Sequence, residues 1–227
     1  MLAATPAGLT LAPEGGAHQS IATPLIGIGQ PGLSYFEPAY VDELSAIMEW
    51  GFGHMQAEQG GSVYLRLSTR PLSQPERRLE ASRKAEIVAG GYWVKPPAPD
   101  CDLAIAYVGA LAPEAADAHR QILEDVPGAG LLAITSPDRL HAGWQHDPAA
   151  SHVARLLGAL APGAGLVTVI DGHPATVSWL GAVKGHRIRA LGVDRFGQSG
   201  DILDLYKEYG LDAGAILDAA AGLCLGR

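Results

Sequence analysis

Glu14-Gly15-Gly16-Ala17-His18-Gln19-Ser20 sets a histidine among small residues. An imidazole can give or take a proton near neutral pH, and glycine neighbours let a substrate come close to the backbone. Gln19 adds a second hydrogen-bonding group. On spacing alone, a plain loop is the better account. Arg66 and Arg70 are the next candidates, because a guanidinium fork suits a carboxylate or a phosphate. Val63 to Ser68 alternates apolar and polar residues, the period of a half-buried strand, which puts Arg66 on the polar face. A solvated strand edge is the plain alternative for both arginines.

Four other motifs are weaker. Gly27-Ile28-Gly29-Gln30-Pro31-Gly32 has the letters of a dinucleotide fingerprint, but no strand pattern precedes it and Pro31 sits inside it, so it reads as a loop. Gly197-Gln198-Ser199-Gly200 lacks the last glycine of a nucleophile elbow, and Ser199 reads instead as a helix cap. His141, His146 and His152 lack the i, i+4 spacing that would bring two imidazoles to one metal. Asp171-Gly172-His173-Pro174 follows a strand at the edge where ligand sites gather, yet reads as a tight turn with an interface histidine.

The elements that must position these residues are unevenly legible. Residues 1–32 show little periodicity and read as a long ordered loop. Leu33 to Phe36 reads as a strand. Glu37-Pro38 then opens a helix that buries Val41, Leu44, Ile47, Met48, Phe52 and Met55 and ends at Gly60-Gly61. Pro71 to Lys84 is polar and reads as a linker, with a domain boundary between Pro71 and Asp100. Strands at Leu103 to Val108, Leu131 to Thr135, Leu166 to Ile170 and Arg187 to Val193 alternate with helices at Pro113 to Glu124, Ser151 to Leu160 and Ala175 to Val183. Helices Asp201 to Tyr209 and Ala213 to Leu225 close the chain, with Ser199 and Asp212 as caps. Such alternation implies an α/β fold with a mostly parallel sheet covered on both faces.

Composition sets limits on function. With 48% hydrophobic and 18% charged residues among 227, the chain can bury one large core or two small ones, and disorder is not expected. A net charge of -8 without long like-charged blocks gives no footprint for nucleic acid or an anionic membrane. Cys101 and Cys224 stand far apart, so neither a disulfide framework nor a thiolate zinc site is indicated. Met1 to Ala12 lacks the pattern of a signal peptide, and no apolar run has membrane-spanning length, so a soluble cytoplasmic protein is expected.

Taken in collinear order, three stretches carry a resemblance. EGGAHQS resembles the loop of transketolase-like enzymes in which Gly, a small residue, His and often Gln line the substrate channel. SYFEPAYVDELSAIMEWGFGHM followed by SVYLRLSTRP is similar to the end of the pyrimidine-binding domain of homodimeric pyruvate dehydrogenase first components. ALGVDRFGQSGDILDLYKEYGLDAGAIL resembles the last strand, Phe-Gly turn and paired helices of their carboxy-terminal domain. The resemblance implies the end of a pyrimidine-binding domain over residues 1–90 and a transketolase C-terminal domain over 91–227.

It also implies thiamine diphosphate and Mg²⁺ as cofactors, although the Gly-Asp-Gly motif, downstream Asn and activating glutamate of the family are not identifiable here. The chain is therefore expected to be a C-terminal fragment or subunit, active only with a missing N-terminal portion. Further expected partners are a homodimer mate and a dihydrolipoyl acyltransferase core. On this resemblance His18 is the catalytic candidate, a proton or hydrogen-bond donor to the substrate oxygen, with Gln19, Arg66 and Arg70 as substrate-binding candidates. A transketolase or deoxyxylulose-phosphate synthase fragment, or a non-catalytic dimerisation or docking module, are the alternatives.

Overall fold

The computed structural model describes residues 1–195 and 197–226. Three short strands, β1 (Leu2–Ala4), β2 (Leu33–Phe36) and β3 (Ser62–Arg66), form a parallel sheet in the order β1-β3-β2. Residues 1–32 are thus not simply a long loop. They hold β1, two 3₁₀ turns (Ala12–Glu14 and Gly16–His18) and helix α1 (Thr23–Gly29). A three-residue strand is too short to show alternation, and the glycines of α1 hide its period.

Helix α2 runs from Val41 to Gln56, so it starts later than Glu37-Pro38 and ends before Gly60-Gly61. Its start is fixed by Glu43, whose buried carboxylate accepts from the amides of Ala39 (2.8 Å) and Tyr40 (3.2 Å) and from the Tyr92 hydroxyl (2.5 Å). Of the face expected to be buried, Ile47 is fully enclosed, but Val41 and Phe52 are exposed. The expectation treated every apolar residue at helical spacing as core, whereas the stripe facing β3 is narrower.

Residues 67–80 carry no helix or strand. Helix α3 (Ala81–Ala89) then leads through Gly90, in the left-handed conformation, to β4 (Gly91–Lys95). Both elements lack a strong pattern, since α3 buries only Ile87. β4 pairs antiparallel with β6 (Gly130–Ile134), and the five-stranded second sheet has the order β4-β6-β5-β7-β8. Its other strands, β5 (Leu103–Val108), β7 (Gly165–Ile170) and β8 (Arg187–Leu191), run parallel to one another and to β6.

All residues of β5, β6 and β7 are buried, which is why these strands read as unbroken apolar runs. Leu103, Ile105 and Tyr107 face one cluster, with α4 (Ala112–Asp125), α10 (Ala213–Leu225) and the residues Phe36, Ile47, Val63 and Leu65 of the first sheet and α2. Ala104, Ala106 and Val108 face the other, with α5 (Pro137–His146), α6 (His152–Leu157), α7 (Ala175–Ser178) and α8 (Leu180–Lys184). Helix α9 (Ile202–Glu208) precedes α10. Asp212 caps α10, accepting from the Ala215 amide at 2.8 Å. Ser199 caps nothing: α9 begins after Asp201 and no side chain caps it. Among the described residues, no helix is long and apolar enough to cross a membrane.

Candidate functional site

The carboxyl ends of both sheets converge. Glu37, one residue past β2, donates its amide to the Thr135 carbonyl just past β6 (2.8 Å). It also packs against Gly109, past β5, where a Cβ would lie 2.8 Å from the glutamate Cγ. Gly109 has φ +55°, a conformation that glycine adopts without steric cost.

Arg66, at the end of β3, is 0% exposed and not on a solvated polar face. The alternation assigned it outward, but Ser20, Thr23 and the residues just past β2 and β7 enclose it. Its Nη1 is paired with Glu37, which also accepts from the Tyr35 hydroxyl. Nε donates to Thr23 Oγ1 (3.1 Å), and Nη2 donates to the carbonyls of Ser20 and Asp171 (both 2.7 Å). Burial works against the guanidinium charge, and Glu37 offsets it, holding the group above its ordinary pKa. Burial, with the Glu37 charge, raises the Tyr35 phenol well above its usual range.

Asp171, directly after β7, is 1% exposed. Its Oδ1 accepts from the Leu9 amide and its Oδ2 from the Tyr206 hydroxyl, both at 2.9 Å. Burial raises this carboxyl to about 6; Arg66 chiefly opposes the shift, together with those two hydrogen bonds, and Glu37 adds to it. The folded chain therefore binds this proton more tightly than the unfolded chain, and the associated stability is lost as pH rises through about 6. In urea unfolding, wild type is expected to gain stability relative to Asp171→Asn as pH falls from 7 to 4.5. A difference independent of pH would refute the assignment.

The loop that carries His18 lies over this junction. Ser20 donates its amide to the Gly8 carbonyl (3.2 Å), and Gly8 donates to Ser20 Oγ (3.0 Å), closing the loop at its base. His18 ends the second 3₁₀ turn and is exposed. Gln19 Nε2 donates to the Gln198 carbonyl (3.1 Å), and its buried Oε1, without a hydrogen-bond partner among the described residues, rests on Gly197, where a Cβ would overlap it. Gly200 donates to the Ala12 carbonyl (3.1 Å), and Gly15 lies against Ser199 Oγ. EGGAHQS and GQSG, far apart in sequence, thus form one surface. Phe196 of the Phe-Gly turn lies outside the described residues.

Arg70 is held by other partners. It forms a bidentate pair with Glu114 of α4 (2.9 and 2.6 Å), donates to the Ala110 carbonyl (3.0 Å) and lies 5.1 Å over the Tyr206 ring. Neither candidate arginine presents an unpaired fork. GIGQPG ends helix α1 instead of starting one, and its last five residues, 28–32, line an open cleft of about 580 Å³ at the amino ends of β2 and β3, with His54, Asp138 and Arg139. His141 packs edge-on against Trp144 and Trp179, while His152 Nε2 lies 2.7 Å from the Gly91 carbonyl. His173 makes the turn expected of it, accepting from the Ala175 amide (3.2 Å) and donating its own to Ile21 (3.0 Å). Sequence reasoning missed Glu37, Tyr206 and the carboxylate of Asp171. The one usable signal was an aspartate directly after an apolar parallel strand.

No protein-family model matches the chain, and no curated protein matches it. Solved structures do. Transketolase from Leishmania mexicana aligns over 95% of this chain with a TM-score of 0.74 at 18% identity. The chain has a transketolase-like fold. Transketolase from Campylobacter jejuni covers 99% at a TM-score of 0.70 and 15% identity. A split-gene transketolase described as an inactive β4 tetramer covers 99% at 0.68 and 22%. The chain spans 29% and 31% of the first two proteins and 67% of the split-gene chain. What is shared at these identities is the architecture: a mostly parallel α/β fold matching the transketolase C-terminal domain.

Proposed function

We propose that the chain is one part of a thiamine-diphosphate-dependent enzyme acting on a 2-oxo acid, of the kind of the first component of a 2-oxo acid dehydrogenase complex. Residues 1–90 end its pyrimidine-binding domain and residues 91–227 form its C-terminal domain. The donor set of this chain does not fit thiamine diphosphate and Mg²⁺. Arg66 and Arg70 are committed to Glu37 and Glu114, and among the described residues no three His, Cys, Asp or Glu side chains are grouped to hold a metal ion. The cofactor's contacts belong to a second portion or subunit, and this chain supplies a wall of the substrate channel. A homodimer mate and a dihydrolipoyl acyltransferase core complete the assembly in this reading.

On that wall His18 has the chemistry to donate to the oxygen of a 2-oxo group as negative charge develops there, and Gln19 helps to fix the loop that holds it. The observation that carries this reading is His18, exposed at the end of a 3₁₀ turn in a loop braced against residues 197–200, where it can meet a substrate carbonyl oxygen. Both candidate arginines are closed by carboxylates, so neither offers a free fork to a substrate carboxylate or phosphate. Ketol transfer between sugar phosphates is the second reading, favoured because the aligned structures are transketolases.

Co-expression with the portion that carries the diphosphate and Mg²⁺ motifs, followed by assay, separates the two. Ferricyanide reduction driven by a 2-oxo acid supports the first reading, and ketol transfer from a ketose phosphate supports the second. Neither activity in an assembled, cofactor-loaded complex would sink both.

A further inference from the structure

Residues 8–20, which present His18, contribute little apolar burial of their own beyond Leu9 and Ala12. The loop must therefore be held from outside, and its two ends are held differently. Its end is tied by Arg66, which donates to the Ser20 carbonyl and to Thr23 Oγ1. Its start is tied by the Asp171 carboxylate, which takes the Leu9 amide on one oxygen and the Tyr206 hydroxyl on the other. Gly8, at φ +59°, lies so close that a Cβ there would sit 2.2 Å from Asp171 Cγ.

Tyr206 belongs to α9, and the segment just before α9 supplies the Gln198 carbonyl to Gln19 and the Gly200 amide to Ala12. One carboxylate therefore joins the loop of the first half to the element of the second half that the loop tip also touches. We propose that Asp171 is the positioning residue for His18: it seats the loop and sets its register against residues 197–200. It touches no substrate. The proposal deepens the reading of His18 given above, and its effect on turnover rests on that reading; the seating itself does not.

Hydrogen exchange of the chain itself at pH 7 tests the seating. Asp171→Ala strips both bonds, so amides of residues 8–20 should exchange roughly 10- to 100-fold faster, the range for losing a hydrogen bond to a charged group. Exchange in β5 and β7 should stay as in wild type. Asp171→Asn should restore slow exchange, because its carbonyl can still accept from Leu9 and its amide can donate to the Tyr206 oxygen. Unchanged loop exchange in Asp171→Ala would overturn the proposal. Should that variant fail to fold, Tyr206→Phe decides. It removes one of the two carboxylate bonds, and faster exchange confined to residues 8–20 supports the seat, whereas wild-type exchange refutes it. In the assembled enzyme Asp171→Ala should lower kcat with KM little changed, and Asp171→Asn should recover it. Faster loop exchange with normal kcat would leave the seat standing and remove His18 from the chemistry.

Discussion

Replacing His18 by alanine in the assembled enzyme is expected to lower kcat by roughly 10²- to 10⁴-fold, the usual contribution of a positioned acid or base. The side chain is exposed at the end of a 3₁₀ turn, and its loop is anchored through backbone atoms and other residues. Its removal therefore leaves no cavity and strips no buried partner. The melting temperature should stay close to wild type, so a fall in kcat reports chemistry and not unfolding. Gln19→Ala should give a smaller loss, because it removes the bond to Gln198 while His18 remains. Steady-state kinetics beside a thermal melt is the check, and near-normal turnover in His18→Ala would reduce EGGAHQS to a structural loop.

A change of the opposite kind is expected at Arg66. Arg66→Ala leaves the buried Glu37 carboxylate without its cation and orphans Thr23 Oγ1 and the carbonyls of Ser20 and Asp171. Removing one partner of a buried pair costs about 3–5 kcal/mol, because the remaining charge stays in a medium that solvates it poorly. That is a large share of the roughly 5–15 kcal/mol by which domains are stable. Urea unfolding would show the midpoint falling steeply. The double variant Arg66→Met with Glu37→Gln, which leaves no lone charge, should recover part of the loss. A cost below about 1 kcal/mol for Arg66→Ala would mean that water reaches Glu37.

The two variants mark what could and could not be read from the sequence. β5, β6 and β7 were legible because burial on both faces makes a strand apolar throughout, a one-dimensional signal. β1 and β4 were not: the first is three residues long, and the second is an edge strand with little pattern. Helix α5 escaped because only Pro137 and Leu140 are buried, and its start depends on Ser136 accepting from Arg139. At the site, His18 and Gln19 stood out through a local motif. The partners that define Arg66 and Asp171 are long-range: Glu37 lies 29 residues from Arg66, and Leu9 lies 162 from Asp171. No periodicity encodes such meetings, and so Arg66 read as an outward residue when it is the centre of the junction.

The margins of the second sheet have a consequence for solution behaviour. β4 changes register between Trp93 and Lys95, ends on exposed Lys95 and runs at once into Pro96-Pro97, which offer no amide hydrogens. At the far margin, β8 carries Arg187 and Arg189, and Arg187 folds back to the carbonyls of Gly163 (3.1 Å) and Leu223 (2.5 Å). Both outer ladders are thus poor templates for a foreign strand. At this sheet, concentrated solutions of the chain should resist the strand-by-strand stacking that leads to fibrils.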